Sequence, residues 1–377
     1  MVALARKSLL HAWRRFLPTT LAVAFASLML LVQSALLLGI FGSASVYIRT
    51  SSAQLWIGYP GTQTVELGQP VPEGDALRLL LDPDVERIEP FKWLDGDWRA
   101  LGTRGVVSVF VSGIDARPGG LMFSEALSPG LRAALRLPDS VVVDRADLEK
   151  LGTAVGQAAA VNGRTVRVVG VASGLRALGG VNVVASLATA RRLAPDARNA
   201  NDNAYYVAAL TPGADPRVVA ARLSPRGRHS RYAVWSAEEF GSRAARYWFF
   251  ETGAGAGFLF LAGIIFVSGA LIASQSLAAA VASAVPEYAT LRALGVSRRE
   301  LGKIVLEQAC WVAAAGLAVA AVLMAIVVAF ARSQDVPASL DPLTVVVCMV
   351  AVAGIVAISG LAAAATLRRS DPALLLR

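Results

Sequence analysis

Four long stretches without a single charged side chain decide what this chain can fold into. No Asp, Glu, Lys or Arg occurs between Arg15 and Arg49, between Glu251 and Glu287, between Glu307 and Arg332, or between Asp341 and Arg368. Each stretch exceeds the ~20 residues a helix needs to cross a hydrocarbon layer ~30 Å thick. Composition agrees: of 377 residues, 55% are apolar and 17% charged, against roughly 25% charged in a soluble domain. The polar residues gather in the middle of the chain, so the sequence is built for two solvents.

The pattern predicts a membrane α-helical protein with four transmembrane helices, one plus three. A large α/β extracytoplasmic domain is inserted between helices 1 and 2. Residues 1–16 read as a cytoplasmic amphipathic helix, with Leu4, Leu9, Leu10, Trp13 and Phe16 set among basic residues. The membrane helices are expected at 17–41, 251–284, 304–331 and 342–366. The outer, periplasmic domain is expected over 42–250, a cytoplasmic loop over 285–303, a short periplasmic loop over 332–341 and a cytoplasmic tail over 367–377. The first apolar run, Phe16 to Ile40, is 25 residues long, beyond the 7–15 of a cleaved signal sequence, and is read as a retained helix.

Orientation follows from the cations beside the spans. Arg6, Lys7, Arg14 and Arg15 precede the first, Arg292, Arg298, Arg299 and Lys303 separate the second from the third, and Arg368, Arg369 and Arg377 follow the fourth. The loop between the third and fourth holds only Arg332, with Asp335 and Asp341. Both termini are therefore expected in the cytoplasm of a bacterial inner membrane protein. The same bias accounts for a net charge of +9 without invoking nucleic acid.

Local signals mark several elements. In the outer domain, Val141 to Val143 reads as a buried strand, Asp144 to Leu151 as a short helix, and Ser186 to Leu193 as another. Asn162-Gly163 reads as a hairpin turn. Gly295 stops the helical stretch Glu287 to Leu294, and Ser297 with Glu300 forms a capping box that opens the third span. Pro286 ends the second stretch, and Asp341 with Pro342 starts the fourth. The second uncharged stretch, Thr252 to Pro286, would be about 52 Å long as one helix, so part of it is expected to project beyond the lipid.

Little in the sequence carries chemistry. No Gly-x-x-x-x-Gly-Lys-Ser/Thr phosphate loop is present, so ATP would have to be hydrolysed, with its Mg, by a partner. His11 and His229 are expected on opposite sides of the membrane, Cys310 and Cys348 lie in apolar runs, and no metal site or catalytic residue is assigned. Asp144, Asp147 and Glu149 are interleaved with Arg145 and Lys150 and read as helix-start residues. Gln33, Ser34, Ser268, Ser274 and Gln275 read as interhelical hydrogen-bonding groups. The small residues Gly253, Gly255, Gly257, Gly263 and Gly269 suit close helix contact, either within the chain or in a dimer. Arg243, Arg246 and the run Tyr247 to Phe250 read as an interfacial anchor.

The segment Glu287-Tyr-Ala-Thr-Leu-Arg-Ala-Leu-Gly-Val-Ser-Arg-Arg-Glu-Leu301 resembles the cytoplasmic loop of MacB/FtsX-type ABC transporter permeases. Leu4 to His11, Arg368 to Arg377 and the one-plus-three topology extend the resemblance over the chain, and Leu55-Trp-Ile-Gly-Tyr-Pro-Gly-Thr62 is most similar to the DevC-like branch. The resemblance implies a coupling helix seated in an ABC ATP-binding subunit, carried here by Glu287, Leu291, Arg292, Ala293, Leu294, Gly295, Ser297, Arg298 and Arg299. It also implies a second permease copy, a homodimer, and for this branch a periplasmic adaptor (a membrane fusion protein) leading to an outer-membrane duct. The function implied is efflux by mechanotransmission, in which a separate ATPase drives the outer domain. An FtsX-like transmitter that activates a periplasmic hydrolase, and a lipoprotein-releasing permease, share every membrane feature. The size of the outer domain favours export.

Overall fold

The computed structural model describes residues 13–102, 105–194, 202–225, 230–284, 290, 295–333 and 341–369. The chain divides into two compact units, one an α/β body from Ile40 to Ala254 and the other made of the helices that precede and follow it in sequence.

Helix α1 (Trp13–Ser43) opens the chain's described part and gives way to the short α2 (Val46–Arg49). In the α/β unit, β1 (Leu55–Gly58) is buried at every position, because it lies between two other strands and under side chains on both faces. Then come α3 (Glu73–Leu77), the 16-residue β2 (Val85–Ala100), β3 (Val107–Ile114), α4 (Pro129–Leu135) and β4 (Ser140–Asp144). A 3-10 turn and α5 (Leu148–Leu151) lead to β5 (Ala158–Val161), β6 (Arg164–Ala172), β7 (Val181–Ser186) and α6 (Leu187–Leu193). The unit closes with β8 (Tyr205–Leu210), α7 (Pro216–Leu223), β9 (Ala233–Ser236) and α8 (Ala237–Arg246).

Local chemistry explains the boundaries. Ser128, Ser186, Asp215 and Ser236 each accept a backbone N–H at the start of α4, α6, α7 and α8. Asn162 and Gly163 both have positive φ and turn β5 directly into β6, with Val161 paired to Arg164. The Asn162 side chain also accepts from Asp97 N (2.9 Å) and donates to the Leu193 carbonyl (2.8 Å), which ties the turn to two other elements.

The long β2 belongs to two sheets. Val85 to Phe91 pairs with β8 in an antiparallel sheet of order β2-β8-β1-β9. Lys92 to Trp98 pairs with β3, and Trp98 to Ala100 with β5. From β3 the ladder continues through β7, β4, β6 and β5 back to β2, so six strands close into a ring without an open edge. The ring is filled by Trp98, Val109, Val111, Val141, Val143 and Val166 with their neighbours. Alternate residues of the same strands, Ile114, Val142 and Val184, join Trp56, Phe91, Tyr205 and Phe240 in a second, aromatic core. A third core, with Leu55, Ile57, Leu210 and Val219, covers the opposite face of the four-stranded sheet.

After α8 the chain makes a π-turn over Tyr247–Glu251 and reverses hand at Gly253, where φ is +76°. Helix α9 (Ala254–Ser283) follows, 30 residues or about 45 Å, then α10 (Arg298–Ser333) and α11 (Pro342–Arg369). Among the described residues three helices are long and apolar enough to cross a membrane, at Phe16–Ile40, Ala254–Ser276 and Glu300–Ala331, and a shorter apolar stretch runs over Pro342–Ile358. Within this unit Val23 and Leu30 of α1 pack against Val312 of α10 and Val352 of α11. Gly269 of α9 sits so close to α1 that a Cβ there would lie 2.6 Å from that of Ala26, which assigns this member of the glycine series to packing inside the chain. Gly257 and Gly263 have open space beside them. Ser34 Oγ contacts Cys348 Sγ at 3.4 Å between α1 and α11, whereas Gln33 Nε2 and Glu307 Oε1 are buried without a hydrogen-bond partner.

Candidate functional site

Of the nine residues assigned to coupling, Glu287, Leu291, Arg292, Ala293 and Leu294 lie outside the described residues, as do His11 and His229. Gly295 is described, with φ +93°, the left-handed conformation of a helix terminator. Two residues on, Ser297 N–H donates to Glu300 Oε2 (3.0 Å) and Glu300 N–H donates to Ser297 Oγ (3.3 Å). This is the reciprocal capping box, and it places Arg298 and Arg299 as the first two residues of α10. The cap at Ser297 leads directly into α10 at Arg298.

A second set of polar groups lies where α2 and α8 pack against the four-stranded sheet. Tyr47 of α2 is fully buried; its hydroxyl accepts from Trp93 Nε1 (3.3 Å), and burial, then the nearby Glu66 carboxylate, push its pKa well up. Ser112 donates to Asn182 (2.7 Å), which donates to the Leu175 carbonyl (3.1 Å). Glu66 stands on a 3-10 turn, Val65–Leu67, whose carbonyls at Thr64 and Val65 are held by the Tyr205 hydroxyl (3.2 and 3.1 Å). Burial pushes the Glu66 carboxyl up, opposed by hydrogen bonding from Thr64 and by the Trp248 indole. Of the residues read as an interfacial anchor, Arg243 pairs with Glu239 (2.9 Å) and stacks over Trp235, and Phe250 is exposed. The Trp248 indole N–H is buried, while the residue as a whole is partly exposed.

A cavity of about 380 Å³ opens beside α4, lined by Ser52, Pro118, Leu127, Pro129, Arg132 and Arg136 among others. Arg132 is buried and spends its donors on the carbonyls of Asp115 and Met122, and Glu89 accepts the Leu121 N–H (2.8 Å) and faces Arg87 (3.3 Å). These bonds fix the loop after β3. Asp144 caps the turn after β4 and accepts from Leu175 N (2.8 Å), and Asp147 pairs with Arg176 (3.3 Å), so both have structural partners. Among the described residues no group of three or more His, Cys, Asp or Glu is arranged to hold a metal.

Two family models match the chain in succession. The MacB-like periplasmic core domain matches residues 16–226, and the FtsX-like permease C-terminal domain matches residues 258–372. The chain belongs to the MacB/FtsX-type ABC permease family. Members of that family work with ATPase subunits in ABC transporters and are embedded in the membrane. Among solved structures, the α/β unit is similar to the periplasmic region of MacB from Actinobacillus actinomycetemcomitans, at 13% identity and a TM-score of 0.36, covering 52% of this chain and 94% of that one. It is also similar to the extracellular domain of the noncanonic ABC-type transporter YknZ from Gram-positive bacteria, at 13% identity and a TM-score of 0.32, covering 49% of this chain and 100% of that one. A comparison with curated protein sequences gives no match. In this MacB/FtsX-type permease, the capped Gly295–Glu300 segment is the described part of the connection between α9 and α10 that directly precedes α10. The sequence motif located this segment. It did not mark Glu66, which no local pattern distinguishes.

Proposed function

We propose that this chain is the permease subunit of a MacB/DevC-like export system, passing the ATP-driven motion of a separate ATPase subunit to its periplasmic domain. One observation carries the reading: a MacB-like periplasmic core and an FtsX-like permease module follow each other in one chain. In this reading four helices span the bacterial inner membrane with both termini in the cytoplasm, and Pro342–Arg369 is the fourth. Glu287 to Arg299 seats in the ATPase, with Gly295 ending the coupling helix and Ser297 restarting the chain into the third span. ATP and Mg are held by that partner. Two permease copies form a homodimer, and a periplasmic adaptor and an outer-membrane duct receive the cargo. The size of the outer domain, about 200 residues over 42–250, is the reason for preferring export to activation of a periplasmic hydrolase.

The test is copurification of the tagged chain from membranes, followed by ATPase assays with and without Gly295→Asp. Recovery of an ATP-binding subunit whose activity is lost or uncoupled in the variant is the expected result. A stable chain with no such partner overturns the assignment.

A further inference from the structure

The cavity beside α4 is lined in a way that sorts ligands by charge. Its volume, about 380 Å³, lies within the roughly 300–1,000 Å³ of small-molecule pockets. Pro118, Leu127, Pro129 and Ala133 give it an apolar wall, and no carboxylate among the described residues lines it. Two cations do. Arg132 lies on α4 and Arg136 is its C-cap, a spacing that puts both on one face of the helix. Arg132 is buried, and two of its five N–H donors go to the carbonyls of Asp115 and Met122. The two acids whose charge reaches Arg132 are held by other groups, Asp115 by Arg117 and Glu89 by Arg87 and the Leu121 N–H. Arg136 is exposed and, among the described residues, pairs with no acid. The loop wall is preformed. Arg87 donates to the Gly119 carbonyl (2.9 Å) and Ser52 N–H to the Leu121 carbonyl (3.0 Å). A Cβ at Gly120 would lie 2.5 Å from Arg132 Nη1, so a glycine is what lets the guanidinium lie against this loop.

We propose that this cavity binds an amphiphile with one anionic head, a carboxylate or a phosphate, its head on Arg136 and its apolar body along Leu127, Pro129 and Ala133. Two arginines on one helix face, with no acid in the lining, attract an anion and repel a cation. Arg132 is fixed by its carbonyl bonds and adds its field without moving. The apolar wall rewards an aliphatic body for leaving water, which a small inorganic anion cannot supply. A neutral alkyl chain gains from the wall alone and binds more weakly. The site lies wholly within the α/β unit and does not depend on the permease reading.

The experiment titrates the full chain in phosphatidylcholine nanodiscs with ω-trifluorooctanoate and reads binding from the fluorine signal, after subtraction of empty discs. A saturable bound signal is expected, displaced by octanoate and not by octylamine. Arg136→Gln should weaken binding about threefold, the scale of one partly exposed charge pair, and Arg136→Lys should restore most of it. Ala133 is an exposed lining residue, so Ala133→Leu should fill the cavity and abolish the bound signal at an unchanged melting temperature. The absence of a saturable signal, its survival in a folded Ala133→Leu variant, or displacement by octylamine as readily as by octanoate overturns the proposal. If Ala133→Leu does not fold, Arg136→Gln carries the test, and an affinity equal to that of the native chain overturns it. Phosphatidylglycerol nanodiscs separate two sources of such a head. A loss of probe affinity larger in the native chain than in Arg136→Gln makes the occupant a membrane lipid, equal losses make it a free amphiphile, and both results keep the site.

Discussion

Single residues in the α/β unit are constrained by close contact more than by secondary-structure preference. At Gly58, the last residue of β1, a Cβ would lie 2.8 Å from the Tyr205 ring and 2.9 Å from that of Trp235. Gly58→Ala should therefore cost about 1–3 kcal/mol through overpacking, read as a lower melting temperature of the full chain in detergent. The buried carboxyls give a pH signature. Burial pushes Glu66, Glu89 and Asp147 up, whereas at Asp115 hydrogen bonds from Arg117 outweigh burial and hold the group down. Between the ordinary carboxylate value and the raised one, the folded chain binds more protons than the unfolded chain. Stability contributed by Glu66 therefore falls as pH rises through that window, and the penalty is complete above it. Glu66→Gln should reduce the loss of melting temperature between about pH 5 and about pH 8. An identical loss in both proteins would contradict this account.

At the scale of elements, the signals written within a few residues of one another were the legible ones. Asn162-Gly163 predicts its hairpin, Ser186 its helix and Ser297 with Glu300 its capping box, because each depends on dihedral preference or a side chain reaching three residues along. The π-turn was not legible, since nothing in Tyr247–Glu251 distinguishes it from an ordinary helical turn before an apolar run. Trp248 has its indole N–H buried while the rest of its ring is partly exposed, and an indole suits headgroup depth and a protein interior alike. Two predictions belong here. Ser297→Ala should cost the start of α10 about 1 kcal/mol, seen as faster amide exchange over residues 298–302. Gly295 has open space around it, so a substitution there is limited by backbone conformation alone. Gly295→Val should destabilise the segment by about 1–2 kcal/mol more than Gly295→Asn, which accepts positive φ.

The whole molecule was legible as two solvents and a one-plus-three order of apolar runs, but not as a ring. Ring closure depends on β2 meeting β3 on one side and β5 on the other, with β3 parallel to β7 and β4 to β6. These pairings join distant parts of the chain and leave no local pattern. Almost all of Ala254–Ser276, by contrast, faces away from its own unit, with 6% of its apolar window buried. That surface needs lipid or a second copy as cover.

The shared strand has a mechanical meaning. Phe91 belongs to the four-stranded sheet and Lys92 to the ring, with no loop between them. A strand held by ladders at both ends acts like a torsion bar that couples the twist of one sheet to that of the other, because no loop is in series with it. Leu94→Pro, which removes a ladder bond just past that junction, should cost about 3 kcal/mol and split the unfolding of the α/β unit into two transitions. A load that crosses from sheet to ring is carried there by continuous backbone rather than by a hinge.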